Sequence, residues 1–302
     1  MTAQTLTAES LTSKASDSPR PRTTRLLELN AETLRRNFNR RGFLTGHRLA
    51  DHPLFELPRL LELAQRLPAE DVRYNSGKVS VETGLYRGAH NGLSIEETIR
   101  QIEDCHSWMV LKFVERDPAY RELMDGCLDE VQALTEEIDP GMCRRESFVF
   151  ITSPHSITPY HVDPEYNFLL QIRGSKEIHQ WEPADRTVIS ETEVEDYLAR
   201  HRTQIEFRDE YEAKATVFNL KPGVGLHFPV AAPHWVRNGS EVSISFSITF
   251  RTPASERRVR VSQINSALRR AGMKPAPYGR SQMRDRLKSQ AWRAWRTLKR
   301  SD

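Results

Sequence analysis

The segment TPYHVDPEYN, residues 158–167, lies just past the middle of the chain and contains His161-Val162-Asp163. Side chains alternate faces along an extended strand. His161 and Asp163 would then point to the same side and could close on one cation. An isolated His-x-Asp triplet is more often a polar pair on a turn. Its reading therefore depends on whether the flanking chain is β-structure and supplies a third ligand.

The flanking chain does read as β-structure. ESFVFIT (146–152), NFLLQIRG (167–174), KEIHQWEP (176–183), KATVFNLKPG (214–223), VGLHFPV (224–230) and SEVSISFSITFRT (240–252) follow one another with Gly and Pro punctuation. In the last, Val242, Ile244, Phe246, Ile248 and Phe250 alternate with Ser243, Ser245, Ser247 and Thr249, the pattern of a half-buried strand. Short strands of this kind predict a β-sandwich or small barrel. SETEVEDYLARHR (190–202) reads as a helical insertion within it.

Upstream, residues 25–145 read as mainly helical. Leu57, Leu60, Leu61, Ala64 and Leu67 make an apolar stripe, Ser94 and Glu97 have capping-box spacing, and Pro118 opens a helix over 117–139. VLKFV (110–114) predicts a short strand between helices. Downstream of Pro253, RVRVSQINSALRRAG and SQMRDRLKSQAWRAWRTLKR predict two helices. The second places Met283, Leu287, Ala291, Trp295 and Leu298 on one face.

With 302 residues, 38% hydrophobic and 28% charged, the chain is a soluble type able to bury a core. It has no apolar run near the ~18–20 residues that span a bilayer. The Ser-, Thr- and Pro-containing start predicts a disordered lead-in over 1–24, not a secretory signal. Three cysteines without metal-site spacing predict reduced thiols in a cytoplasmic protein. Residues 251–302 carry 15 Lys+Arg and 3 Asp+Glu, or +12, leaving −9 elsewhere to give the overall +3. An acidic body thus carries a basic C-terminal extension.

A non-haem iron oxygenase site takes two histidines and one carboxylate on one face of the metal. The second histidine could be His179, His201, His227 or His234. His201 falls in the helical insertion and is set aside. His234, after a strand and a turn in GVGLHFPVAAPHWV (223–236), has the context of a ligand reaching back into a barrel mouth; His227 on the preceding strand is the alternative.

In these motifs the chain resembles the JmjC-type, cupin-like Fe(II)/2-oxoglutarate dioxygenases. That family pairs His-x-Asp/Glu with a distal histidine in a Gly-Asp-x-Leu-Tyr-x-Pro-x-x-Trp-Trp-His-x-Val-like segment. The five-residue step from Pro229 to His234 matches, and His227 falls where the family has tyrosine, so the resemblance favours His234. Val224 replaces the family's Asp, and Ala232-Pro233 its Trp-Trp. The spacing is similar to that of the asparaginyl-hydroxylase branch, with Thr158 three residues before His161, Asn167 six after it and Lys176 fifteen after it.

The resemblance implies an α+β fold. Its core is a double-stranded β-helix (jelly-roll or cupin barrel) over 146–252, with a helical region 25–145 packed on it and a helical extension 253–302. It implies Fe(II) held by His161, Asp163 and His234, with Thr158, Asn167, Lys176 and Thr249 facing 2-oxoglutarate and with O2 as oxidant. A buried co-substrate carboxylate needs a cation and a hydroxyl, which suits Lys176 and Thr158. Phe148, Phe150 and Trp181 are pocket or core residues on this reading; His155 and His179 are rim or core histidines.

The reaction implied is hydroxylation of an unactivated C–H in a peptide or protein residue. The alternatives are a small-molecule hydroxylase of the same chemistry, a non-oxygenase cupin, or a non-catalytic regulatory relative. The basic extension could form a homodimer through its helices, meet an acidic partner or nucleic acid, or pack as a solvated helix on the acidic body. No helix-turn-helix or zinc-finger pattern supports a nucleic-acid partner.

Overall fold

The computed structural model describes residues 25–84, 88–200 and 205–298. The predicted lead-in 1–24 and His201 lie outside the described residues, as does the side chain of Leu298. Among the described residues, twelve strands form two antiparallel sheets, with seven α-helices around them.

The larger sheet contains β1 (Leu27–Glu28), β2 (Phe43–His47), β3 (Val72–Ser76), β4 (Ser107–Lys112), β5 (Cys143–Thr152), β7 (Tyr166–Arg173), β10 (Val224–Phe228) and β12 (Ser243–Arg251). Its order is β1-β2-β10-β7-β12-β5-β4-β3. The smaller sheet contains β6 (Ile157–His161), β8 (Lys176–Gln180), β9 (Thr216–Leu220) and β11 (His234–Asn238), in the order β6-β11-β8-β9.

Residues 25–145 do more than supply helices. β1 and β2 extend the larger sheet at one edge, where Phe43 pairs with His227, and β4 extends it at the other, where Val110 pairs with Phe150. The strand predicted at 110–114 runs instead over Ser107–Lys112. It ends because Phe113 takes a left-handed conformation (φ 54°) that leads into a 3-10 turn.

The helices of this region are α1 (Ala31–Asn37), α2 (Leu57–Arg66), α3 (Ile95–Arg100) and α4 (Pro118–Thr135). The capping box at Ser94 and Glu97 forms, and Asp117 caps α4 with Pro118 in its first turn. Leu34, Leu60, Leu63, Tyr120 and Leu128 share one core with Phe168, Leu170, Phe246 and Phe250 from the larger sheet. Burying this apolar layer is the dominant favourable term for the fold.

β12 departs from its expected half-exposed state. Ser243 to Phe250 are all buried. The apolar set faces the helical core, while Ser247 and Thr249 line an internal cavity beside Phe148, Phe150 and Asn167. The polar face of this strand is therefore turned inward rather than toward bulk water, its other serines Ser243 and Ser245 bonding Gln171. Beside the cavity, Leu169, Ile178, Leu226, Phe228 and Val236 pack between the two sheets.

α5 (Glu191–Arg200) is the helix within the β-region. It packs against α6 (Pro253–Arg270), and α7 (Gln282–Leu298) packs against α6. Buried Glu195 of α5 pairs with Arg269 and accepts from Asn265, so part of the basic extension is neutralised by the body. Among the described residues, no helix is long and apolar enough to cross a membrane.

Candidate metal and co-substrate site

β6 and β11 are neighbours in the smaller sheet, and their register sets His161 directly opposite His234. Asp163 follows β6 by two residues. The ring centroids of the two histidines are 4.1 Å apart. Asp163 lies 3.9 Å from His161 Nε2 through Oδ1 and 3.8 Å from His234 Nε2 through Oδ2. One ligand atom from each residue falls within 4.8 Å of the others, and no other such cluster occurs among the described residues.

The imidazoles are fixed from behind. His161 Nδ1 donates to the Pro159 carbonyl at 2.7 Å, and His234 Nδ1 donates to the Ala232 carbonyl at 3.0 Å. A carbonyl only accepts, so each Nδ1 must carry the hydrogen, and in the neutral ring that tautomer leaves Nε2 its lone pair. Burial, with His161 beside it, lowers the pKa of His234 to about 4, so it is neutral at ordinary pH. Two imidazole Nε2 atoms and a carboxylate converging on one point form a donor set that fits a divalent cation.

The loop 229–233 ties the two ligand-bearing segments together. Ala231, buried and left-handed (φ 61°), donates its N–H to the Asp163 carbonyl at 2.8 Å. Arg258 of α6 donates to the Val230 carbonyl at 3.3 Å. The C-terminal extension thus contacts the loop that carries His234.

The cluster opens into a cavity of about 610 Å³ between the two sheets. Thr158, Asn167, Lys176 and Thr249 all line it. Thr158 Oγ1 accepts from the Trp108 indole at 2.9 Å, and Asn167 Oδ1 accepts from Ser247 at 2.8 Å. Thr249 Oγ1 donates to the Glu146 carbonyl at 3.3 Å. Lys176 is 5% exposed, with Nζ 5.6 Å from the Phe150 ring centroid. Among the described residues no carboxylate lies within ion-pair distance of it. Burial lowers its pKa to about 7. A cation held dry and without an anion is costly, so the cavity is electrostatically suited to an incoming carboxylate.

The other expected residues separate cleanly. Phe148 and Phe150 line the cavity, whereas Trp181 packs against Tyr160 and Phe207 outside it. His227 is on the far face of the larger sheet, among Phe38, Phe43 and Phe168. His179 is on the outer side of the smaller sheet, stacked on Trp235 at 4.0 Å and flanked by Glu177 and Glu212. His155 is exposed.

Sequence reasoning missed two polar elements of the cavity. Glu165 pairs with Arg251 across it, and burial raises the Glu165 pKa to about 7 against the pull of that guanidinium. Ser247, read only as part of the alternation of a half-buried strand, holds Asn167. Only the identity of the sheet face could have revealed either.

No protein-family model matches the sequence. Solved structures similar to this chain include those of a protein described as a ribosomal oxygenase. An X-ray structure of Escherichia coli YcfD aligns at TM-score 0.51 and 14% identity, covering 89% of this chain and 67% of that one. A structure of the same protein, described as a ribosomal oxygenase in complex with cobalt and 2-oxoglutarate, aligns at TM-score 0.49 and 16% identity, covering 84% and 60%. The first of these likenesses is one of fold.

Proposed function

We propose that the chain is an Fe(II)- and 2-oxoglutarate-dependent oxygenase that hydroxylates an unactivated C–H, with a peptide or protein residue as substrate. The carrying observation is the pairing of two features in one cavity: the convergence of His161, Asp163 and His234, and the buried, carboxylate-free Lys176. A metal-binding cupin of another chemistry has use for the first feature but none for the second. The shared fold with a protein described as a ribosomal oxygenase bound to cobalt and 2-oxoglutarate supports this reading and its protein substrate.

On this reading residues 146–252 form a double-stranded β-helix core, flanked by the region 25–145 and the extension 253–302. When bound, the metal with 2-oxoglutarate and O2 would supply the oxidant, with 2-oxoglutarate going to succinate and CO2 and one oxygen atom each to succinate and the substrate hydroxyl. The protein's work is positioning. His161 and His234 offer Nε2 because the carbonyls of Pro159 and Ala232 hold the opposite nitrogens. Lys176 and Thr158 receive the distal carboxylate, and Asn167, held by Ser247, faces the same space. Phe148, Phe150 and Phe228 keep water from that end of the cavity.

Anaerobic addition of Fe(II) and 2-oxoglutarate to the full chain is expected to produce a weak visible charge-transfer band. Admission of O2 then yields succinate. The His161→Ala protein should give neither; a variant that keeps the band and full turnover excludes the assignment.

A further inference from the structure

α7 is turned the wrong way round for a surface helix. Such a helix normally buries its apolar stripe and shows its polar face. The side that α7 packs on α6 is polar. Asp285 is 4% exposed and accepts from the Gly279 N–H at 2.8 Å; Ser289 is 5% exposed and accepts from Arg260 at 2.8 Å; Lys288 donates to Asn265. The stripe Met283, Leu287, Ala291, Trp295, at i, i+4 spacing, is left in solvent. Met283 is 72% exposed, Leu287 58% and Trp295 54%. At its C-terminal end the stripe turns into a groove of about 630 Å³ between α5, α6 and α7, walled by Ile264, Ala267, Leu268 and Trp292.

The charge around this surface is one-sided. Residues 253–298 carry 12 Lys+Arg and 2 Asp+Glu. Arg260 and Arg269 are paired with Glu256 and Glu195. Among the described residues no carboxylate lies within ion-pair distance of Arg270, Lys274, Arg280, Arg284, Arg286 or Arg293. The basic extension is thus only partly neutralised by the body, and Arg284, Arg286 and Arg293 of this surplus share α7 with the apolar stripe.

We infer that the stripe of α7 and the adjoining groove are the docking surface for an acidic amphipathic segment of a partner protein. Its apolar side chains would fill the stripe and groove, and its carboxylates would meet the arginine border. The complementarity is specific to that class. Stripe-on-stripe pairing of two copies would bring two arginine borders of the same sign together, Arg284, Arg286 and Arg293 of each. Single-stranded nucleic acid would use the arginines and tryptophans, but Met283 and Leu287 offer no base-stacking face. A lipid surface would cover the convex stripe and leave the concave groove empty.

The test uses the full chain and a fluorescein-labelled 18-residue peptide with Leu or Phe at i, i+3, i+4 and i+7 and Glu elsewhere. Comparison probes are a scrambled peptide of the same composition, an 18-nucleotide single-stranded RNA and phosphatidylserine vesicles. The amphipathic peptide is expected to bind best. Both the Leu287→Ser/Trp295→Ser and the Arg284→Glu/Arg293→Glu proteins should bind it at least about tenfold more weakly. All four positions are exposed, and unchanged succinate formation reports that the variants are folded; where the wild type forms no succinate, an unchanged circular dichroism melt does so. The inference is overturned if the scrambled peptide binds as well, if no probe binds, or if RNA or vesicles bind more tightly and lose affinity in the same variants. It is also overturned if sedimentation shows a dimer that Leu287→Ser dissociates.

Discussion

His227 and His234 stand seven residues apart on consecutive strands, both buried, and burial depresses both pKa values, to about 3 and about 4. Each ring nitrogen Nδ1 faces a backbone carbonyl, that of Asn167 for His227 and that of Ala232 for His234. By burial, protonation and anchoring they are the same residue. They differ in what the other nitrogen meets. His234 Nε2 faces Asp163 and His161 across the sheet interior. His227 Nε2 is buried without a hydrogen-bond partner behind the sheet, with Phe38, Phe43 and Phe168 around the ring. A perturbed pKa thus marks a buried histidine, and convergence with a carboxylate distinguishes a ligand from a core residue.

The sharpest way to break this comparison is to remove each ring in turn. His234→Ala should weaken Co(II) binding by more than about 100-fold, beyond what loss of an outer-shell partner costs, and bring succinate formation to background. His227→Phe should leave Co(II) affinity within about threefold. Equal losses in both would show that His227 is no mere core residue.

A second test concerns Lys176. A buried charge-assisted contact is worth about 1.5–3 kcal/mol, so Lys176→Met should raise KM for 2-oxoglutarate by on the order of 10–100-fold. With its pKa near 7, the free lysine loses its proton as pH rises, and the dicarboxylate must recruit it back. Apparent affinity for 2-oxoglutarate should therefore fall between pH 7 and 9 in the wild type and stay flat in the methionine variant, as a titration of the charge-transfer band would read.

Arg258→Met should have a smaller effect, about tenfold on Co(II) affinity, because it frees only the Val230 carbonyl of the loop carrying His234. A fall in melting temperature with no change in metal affinity would mean that the arginine serves packing alone.

The smallest effect belongs to the acid limb of stability. His227 titrates near 3 when folded and near 6.5 when unfolded, so between those values the unfolded chain binds the extra proton. Its contribution is complete above pH 6.5 and declines as pH falls, by at most about 1.4 kcal/mol per unit. Urea midpoints of His227→Phe should decline less steeply than wild type from pH 6.5 to 5.

The sequence carried much of this site because His161, His234 and Lys176 sit on strands whose period reads directly from the residues, with Asp163 two residues past the end of β6. The rest depended on partners distant in the chain. That Ser247 faces a cavity follows from which side the helices cover, which β12 alone does not encode. Glu165 finds Arg251 across 86 residues. The strands of 25–145 are short, and β2, with Gly46 in FLTGH, has no clean alternation. Its strand state is imposed by pairing with β10. The α7 stripe was legible as a stripe, but its exposure was not, because the polar contacts of Asp285 and Ser289 with neighbouring segments decide which face turns inward.

The outer strands of the larger sheet also set an order of events as the chain is made. β4 meets its partner β5 a few dozen residues later, but Phe43 must wait for His227, 184 positions further on. Until β10 emerges, β1 and β2 have no sheet to join, and the apolar face of α1 has only part of its cover. Closing so distant a pairing is slow by topology. Assembly of this edge should therefore be the late step in folding, and a nascent chain halted before residue 224 should expose Phe38 and Phe43 to whatever attends it at the ribosome exit.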